Sequence, residues 1–100
     1  KSLVRVFKAL ADANRFRMVE EISEKGELSC TDVCARFALA QPTISHHLKV
    51  LADSGLLVVR KEAQHTFFSV NRALVNRVAS VPFAASKSRT ATAIFAPRTR

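Results

Sequence analysis

The sequence predicts a mainly α-helical domain that carries one small β-hairpin. Five segments repeat apolar residues three or four positions apart, which is the spacing of a helix with one buried face. Two short runs of β-branched and aromatic residues flank a charged stretch, a pattern typical of two paired strands. A chain of 100 residues forms one domain with one modest core, so the hairpin must pack against the helices.

The first two helices are predicted from their apolar spacing and from the residues at their ends. Leu3 to Leu10 forms the first helix, with its apolar residues on one side. Asp12 is a typical N-cap residue for the second helix, and Gly26 is a typical residue for its C-terminal end. The apolar stripe of the second helix consists of Phe16, Val19 and Ile22.

The third and fourth helices are marked by their first turns. Ser29 and Asp32 have the three-residue spacing of a capping box, which predicts a short third helix that ends at about Phe37. Pro42 suits the first turn of a helix, because an N–H at that point would have no partner within the helix. A fourth helix is therefore predicted from Gln41 to Asp53.

The hairpin and a fifth helix complete the predicted domain. Leu56 to Val59 and Thr66 to Val70 are the two strand-like runs, and Arg60 to His65 is interpreted as their charged tip. Asn71 to Val81 has apolar residues at helical spacing and is followed by Pro82, which cannot continue a helix.

The charge of the chain indicates a polyanionic partner. Sixteen Lys and Arg residues against eight Asp and Glu residues give a net charge of +8 and a pI of about 10.6. This suits nucleic acid or, as the alternative, an anionic membrane surface. Residues 12–32 include three basic and six acidic side chains, whereas residues 41–81 include five basic and two acidic ones. The second half of the domain is therefore expected to meet the polyanion.

We expect two parts in the chain, a folded domain over residues 1–81 and a basic tail over residues 82–100. The tail has four basic residues and no acidic one, and it either lies on phosphates or fills space as a chain terminus. No apolar run has the length of about 18 residues that a membrane span needs. Two cysteines are too few for a disulfide framework, so a cytoplasmic location is expected.

The fourth helix has an apolar face and a short polar face on opposite sides. At about 100° per residue, Ile44, Leu48 and Leu51 share the buried side. Two short helices joined by a tight turn and followed by a charged hairpin form a winged helix-turn-helix, whose second helix enters the major groove of DNA. The outward side and its flanks carry Pro42, Thr43, Ser45, His46 and Lys49.

The strongest family signal lies in three stretches, Phe7 to Arg17 (FKALADANRFR), Gln41 to Leu51 (QPTISHHLKVL) and Ser54 to Leu57 (SGLL). They closely resemble the ArsR/SmtB family of bacterial repressors, and the resemblance covers about residues 3–78. It implies a homodimeric transcriptional repressor whose first and fifth helices form the dimer interface, and an inducer that releases it from DNA. A two-fold dimer of this kind reads an inverted repeat with half-sites about one helical turn apart.

The sequence departs from the family pattern at positions that bind metal in other members. Metal-sensing members have a Cys-x-Cys-Asp element at the start of the third helix, where this chain has Ser29 and Thr31. Other members bind zinc through Asp and His of the fifth helix, and Asn71 to Val81 contains neither. At the hairpin tip, Ala63 and Gln64 stand where the family has Gly and Arg. No metal site and no cofactor are predicted.

Nine side chains are predicted to contact double-stranded DNA. Gln, Ser and Thr bond to base edges and Lys bonds to phosphate, while the hairpin lies over the adjacent minor groove or backbone. The alternative is a solvated helix face and a merely charged hairpin tip. His47 falls beside the apolar stripe and is instead predicted to pack or to hydrogen-bond within the domain. The nine are Gln41, Thr43, Ser45, His46 and Lys49 of the fourth helix, and Arg60, Lys61, Gln64 and His65 of the hairpin.

Cys30 and Cys34 support two interpretations. Four residues apart on one helix, they are close enough to share a soft ligand, and a helix N-terminus lowers the pKa of a thiol such as that of Cys30. They then form a thiol or metalloid sensor within a repressor, with a third ligand from the partner protomer or from a further segment. In the other interpretation, Cys34 is a small core residue near Phe37.

The leading interpretation is a sequence-specific transcriptional repressor that binds DNA as a homodimer and is released by an unidentified inducer. The rival is a winged-helix module that docks a partner protein, which a shallow salt dependence of DNA binding would favour. Catalysis is not expected, because the chain has no Tyr, no Trp, one Met, no Gly-rich loop and no paired carboxylates beside a nucleophile.

Overall fold

The computed structural model describes residues 2–80 and folds them into five helices and one three-stranded antiparallel sheet. This is the mainly α-helical fold with a hairpin that the sequence predicts, and its element order is that of a winged helix-turn-helix. The helices are α1 (Leu3–Leu10), α2 (Ala13–Lys25), α3 (Cys30–Arg36), α4 (Gln41–Asp53) and α5 (Arg72–Ala79). The strands are β1 (Glu27–Ser29), β2 (Leu57–Glu62) and β3 (His65–Val70).

The predicted ends of α2 and α3 are confirmed. The Asp12 carboxylate accepts two backbone N–H groups of α2 at 2.8 and 3.1 Å, and these bonds, that from Arg15 most of all, lower the pKa of Asp12. Gly26 ends α2 with a left-handed φ of 89°. Ser29 and Asp32 form the reciprocal capping box of α3, with bonds of 3.0 and 3.1 Å.

β1 is a strand that the sequence analysis missed. It pairs with β3, so the sheet has the order β1-β3-β2 and the hairpin is extended to three strands. A strand of three residues is too short to show an alternation of polar and apolar side chains. The strand is held instead by tertiary structure, because Leu28 is buried in the core opposite Phe68.

The hairpin strands are longer and their turn is shorter than predicted. β2 extends through Glu62 and β3 begins at His65, so most of the residues assigned to a six-residue tip belong to paired strands. The prediction failed because charged side chains are common on an exposed edge strand, where they remain in water. Ala63 and Gln64 are left to form the turn, and Ala63 takes the left-handed φ of 55° that glycine adopts at lower cost.

The core lies between the helices and the inner face of the sheet. It contains the complete predicted stripe of α4 and the apolar residues Leu74, Val75 and Val78 of α5. In α2 the prediction is right for Val19 and Ile22, whereas Phe16 lies at the edge of the core and Met18 is fully buried.

α5 is capped by the side chain of Asn71, which accepts the backbone N–H of Leu74 at 3.2 Å. Val81, Pro82 and the basic tail over residues 82–100 lie outside the described residues, and what was expected of them stays a prediction. Within residues 2–80, no helix is long and apolar enough to cross a membrane.

Replacement of Ala63 by glycine is expected to stabilise the domain. A left-handed φ destabilises an alanine by about 1–2 kcal/mol, and glycine removes this strain. Glycine also has more freedom in the unfolded chain, which reduces the net stabilisation by about 0.5–1 kcal/mol. Ala63→Gly should therefore raise the free energy of unfolding by about 0.5–1 kcal/mol in urea denaturation. Ala73→Gly, at an exposed position in the first turn of α5, is the control and should lower it by at most about 1 kcal/mol. A loss of stability in Ala63→Gly would show that this turn does not strain an alanine.

Candidate nucleic-acid interface

α4 presents a polar face to solvent because its other face is buried. Ile44, Leu48 and Leu51 are at most 1% exposed, as predicted. A connection of four residues, 37–40, separates α4 from α3, and Phe37 within it is buried, so the two helices are held as a compact helix-turn-helix. The five α4 residues predicted to contact DNA are all exposed: Gln41, Thr43, Ser45, His46 and Lys49.

His47 is an internal residue, as its angular position predicts. It is 8% exposed, and its Nδ1 lies 3.3 Å from Nη1 of Arg15 on α2. The same arginine donates from Nε to the carbonyl of Ala9 at the end of α1, at 2.7 Å. Arg15 therefore connects α1, α2 and α4, a role that was not assigned to it from the sequence. The helical spacing of α2 gives no signal for such a long-range contact.

The side chains of β2 alternate between the two faces of the sheet, so Arg60 and Lys61, which were grouped together from the sequence, lie on opposite faces. Lys61 and Thr66 line a groove between the hairpin and α4, with a volume of about 510 Å³. Ser45 and Lys49 line the opposite wall of this groove, and Leu48 and Phe68 form part of its apolar floor. We call it the α4–hairpin groove.

The two lysines of the groove are exposed and can bind an anion. Lys49 lies 3.3 Å from Asp53 one turn later on α4, but both side chains are well exposed, so this ion pair is weak and easily exchanged for a phosphate. Lys61 is exposed on β2. The groove is thus bordered by two positive charges on its two walls.

Arg60 lies on the outer face of the sheet and is held by two carboxylates. It donates to both oxygens of Glu27, from Nε at 3.0 Å and from Nη2 at 2.9 Å, and from Nη1 to Glu62 at 2.6 Å. Its guanidinium also lies 4.4 Å from the centre of the Phe67 ring. The hydrogen bonds from Arg60 lower the pKa of Glu27. Glu27 was not identified from the sequence, since its partner is far along the chain and β1 was not recognised.

Gln64 and His65, at the end of the hairpin, face a second cleft. This cleft has a volume of about 330 Å³ and is also lined by Gln41 at the start of α4. The rest of the cleft is lined by Thr66 of β3 and by the start of α3, where Cys30 and Cys34 lie one turn apart. The structure therefore brings the hairpin end, the start of α4 and both thiols together around one space, which we call the thiol cleft.

The two thiols face the same space, and neither is fully buried in the core. Cys30 and Cys34 are both half-buried and both line the thiol cleft. Burial raises the pKa of the Cys30 thiol, the nearby Cys34 raises it further, and a hydrogen bond with Ser45 lowers it in part. The expectation of a lowered pKa at the helix N-terminus is therefore wrong, because burial and the neighbouring Cys34 thiol both disfavour the thiolate of Cys30.

No metal centre can be assembled from the side chains of residues 2–80. In this part of the chain, no group of three or more His, Cys, Asp and Glu side chains is placed to hold a metal ion. All three histidines lie on α4 or the hairpin, and two thiols without a third ligand do not complete a tetrahedral site.

Comparison with known proteins gives consistent matches over most of the chain. Residues 10–60 match the model of a helix-turn-helix domain family. The arsenical resistance operon repressor of Staphylococcus aureus is 33% identical over 78 residues, which is 78% of this chain and 74% of the relative.

Solved structures show the same architecture. An ArsR-like transcriptional regulator from Rhodococcus superposes with a TM-score of 0.71 at 26% identity, covering 92% of this chain and 88% of the other. A homodimeric winged helix-turn-helix DNA-binding domain from Mycobacterium bovis has the same TM-score of 0.71 at 22% identity, covering 88% of this chain and 81% of the other, and it supports the fold alone.

Proposed function

The chain belongs to the ArsR family of helix-turn-helix transcriptional repressors, and from this premise we propose that it binds an inverted-repeat operator as a homodimer. The observation that supports this most is the polar face of α4, which is exposed over its whole length and borders a groove with a lysine on each wall. A helix with short polar side chains fits the major groove of DNA, which is about 12 Å wide.

Within this proposal, the side chains of α4 divide into base-reading and phosphate-binding groups. Gln41, Thr43 and Ser45 lie towards the start of the helix, where recognition helices contact base edges, and His46 projects from the same exposed face. Lys49 lies further along and binds phosphate together with Lys61 across the groove. Gln64 and His65 extend from the hairpin towards the minor groove or the backbone.

The dimer interface is proposed to involve α1 and α5, as in the resemblance noted above. α1 supports this because Val4 is 64% exposed, an unusual exposure for a large apolar residue on a short helix, and Leu3 and Leu10 are partly buried. A second copy that covers α1 would bury this surface and place two α4 helices about one turn of DNA apart.

Ser45→Ala and Lys49→Ala should weaken DNA binding in different ways. Ser45→Ala removes a hydrogen bond to a base edge and should reduce affinity for a selected operator by about tenfold more than affinity for random duplex. Lys49→Ala should weaken both duplexes equally and reduce the salt slope by about 0.9. Fluorescence anisotropy at several salt concentrations measures both quantities. Equal losses on the two duplexes in Ser45→Ala would remove this residue from the base-reading group.

Val4→Glu should disrupt the dimer without unfolding the protomer. Burial of two charged side chains at a two-fold interface should raise the dimer dissociation constant by at least about tenfold, which corresponds to about 1.4 kcal/mol. Sedimentation equilibrium measures the constant, and circular dichroism checks the fold. Val58→Glu is the matched control, because Val58 is 49% exposed on the sheet rather than on α1. An unchanged constant in Val4→Glu would place the interface elsewhere.

A thiol-responsive repressor is a second candidate function, and the position of Cys30 favours it. Cys30 lies beside both Cys34 and Ser45, so a group bound to the two thiols would sit against a proposed base-reading side chain. The S. aureus relative is named for arsenical resistance. Two thiols suffice for a monosubstituted trivalent arsenical, which forms two As–S bonds and releases water from its oxide.

Phenylarsine oxide is the probe that tests this candidate. It should release the wild-type protein from a selected operator duplex, and intact mass should show one phenylarsenic group per chain. Cys30→Ser and Cys34→Ser keep small side chains and should bind the duplex normally, yet each should lose the response, because one thiol cannot hold the probe. Unchanged DNA binding in labelled wild-type protein would leave the repressor with an inducer that acts elsewhere.

A further inference from the structure

The Glu27–Arg60 pair joins two strands that are not neighbours. In the order β1-β3-β2, Glu27 lies on one outer strand and Arg60 on the other, with Phe67 of β3 between them. The bidentate contact therefore spans the width of the sheet and passes over an aromatic ring. An arginine held by two parallel hydrogen bonds and by stacking has a defined orientation, unlike a simple surface ion pair.

β1 continues directly into the helix-turn-helix. Its last residue, Ser29, is the N-cap of α3, and α3 packs against α4. The hairpin is connected to α4 at its other end through the short segment at Ser54 and Gly55. The hairpin is already joined to β1 through the β1–β3 ladder, and the Glu27–Arg60 pair adds a direct contact from β1 to the far strand, β2.

The outer part of β2 has little burial to set its direction. Leu57 is buried, but the strand is exposed from Val58 to Glu62. The β1–β3 ladder covers only Phe67, Phe68 and Ser69 of β3, so it stops short of the outer ends of β2 and β3. An exposed ion pair adds little to the free energy of unfolding, yet a contact that ties β2 to β1 restricts the angle between the hairpin and the helices.

Local charge argues against a direct contact between Arg60 and DNA. Its single positive charge is surrounded by the carboxylates of Glu27 and Glu62, at 2.9 and 2.6 Å. A phosphate approaching this cluster would meet a net negative charge. Lys61, on the opposite face of the same strand, has no such neighbour among the ion pairs seen in residues 2–80 and borders the α4–hairpin groove.

We propose that Arg60 is a positioning residue: through Glu27 it holds the hairpin at the angle at which Lys61 reaches a phosphate of DNA bound by α4. The inference rests on the proposed DNA-binding function and refines it. It replaces the direct contact with the minor groove or backbone of DNA that the sequence analysis assigned to Arg60, and it adds Glu27 to the residues on which DNA binding depends.

The salt dependence of DNA binding separates the two roles. The probe is a duplex of about 30 base pairs selected from a random library by the wild-type protein. Lys61→Ala should reduce the salt slope by about 0.9, the value for one phosphate contact. Arg60→Ala should reduce affinity by about threefold to tenfold, because Lys61 is then held less well, and its slope should fall by no more than that of Lys61→Ala. In the Lys61→Ala background, Arg60→Ala should leave the slope unchanged, and a further fall of about 0.9 there would show a direct phosphate contact by Arg60 and overturn the inference.

Exchanging the two charges provides a second test at constant net charge. Glu27→Arg and Arg60→Glu should each weaken binding by about fivefold or more, and the double variant should recover to within about twofold of wild type, because the pair is restored in reverse. If the double variant binds as poorly as Arg60→Glu alone, the charge at position 60 acts on DNA directly and the inference is wrong.

A measurement without DNA keeps this inference separate from the proposed function. Amide hydrogen exchange of β2 should be about tenfold faster in Arg60→Ala than in wild type, and exchange in α2 should be unchanged. Unchanged exchange in β2 contradicts the positioning role even if the protein binds DNA. Failure of the wild-type protein to select any duplex contradicts the proposed function instead, and the exchange result still decides whether Arg60 holds the hairpin.

Discussion

The arrangement of the whole surface depends on the burial of one face of α4. Ile44, Leu48 and Leu51 pack in the core with almost no exposure, and this packing determines the rotation of the helix about its axis. Arg15 then fixes the helix relative to α1 and α2 through His47 and the carbonyl of Ala9. Because the rotation is determined by the core, the side chains that face outward are determined as well. They are mostly polar, and Thr43 and Ser45 among them are short, which allows the helix to approach another molecule closely.

The charges of the domain act in two separate ways. On the outer sheet face and around α3, arginines pair with acidic residues, as Arg60 does with Glu27 and Arg36 with Glu21 at 3.1 Å. These pairs connect elements that are distant in sequence. At the α4–hairpin groove, Lys49 and Lys61 are exposed and carry charge that a polyanion can neutralise. The acidic segment over residues 12–32 therefore supplies Glu21 and Glu27 as partners for internal contacts, and the basic region over residues 41–81 supplies the surface that is proposed to bind DNA.

Local sequence patterns predicted the helices well, because each has periodic apolar residues and recognisable ends such as Asp12, Gly26 and the Ser29–Asp32 capping box. The outward face of α4 followed from the same periodicity. Features that depend on contacts between distant residues were missed or misjudged. β1 forms because Leu28 packs in the core beside β3. The partner of Glu27, Arg60, comes from β2. The pKa of Cys30 is raised by packing, which the position of the residue in the helix does not show. The charged residues near the hairpin end were also predicted as a loop, because the local sequence does not show that they pair as strands.

The proposed function requires that two copies of this chain read DNA together through their α4 helices. Selection of duplexes from a random library by the purified protein, followed by sequencing, decides whether they do. We expect enrichment of an inverted repeat whose half-site centres are about one helical turn, roughly 10 base pairs, apart. Enrichment of a single asymmetric site, or binding with no enrichment and a shallow salt dependence, would contradict it and favour a winged-helix module that docks a partner protein.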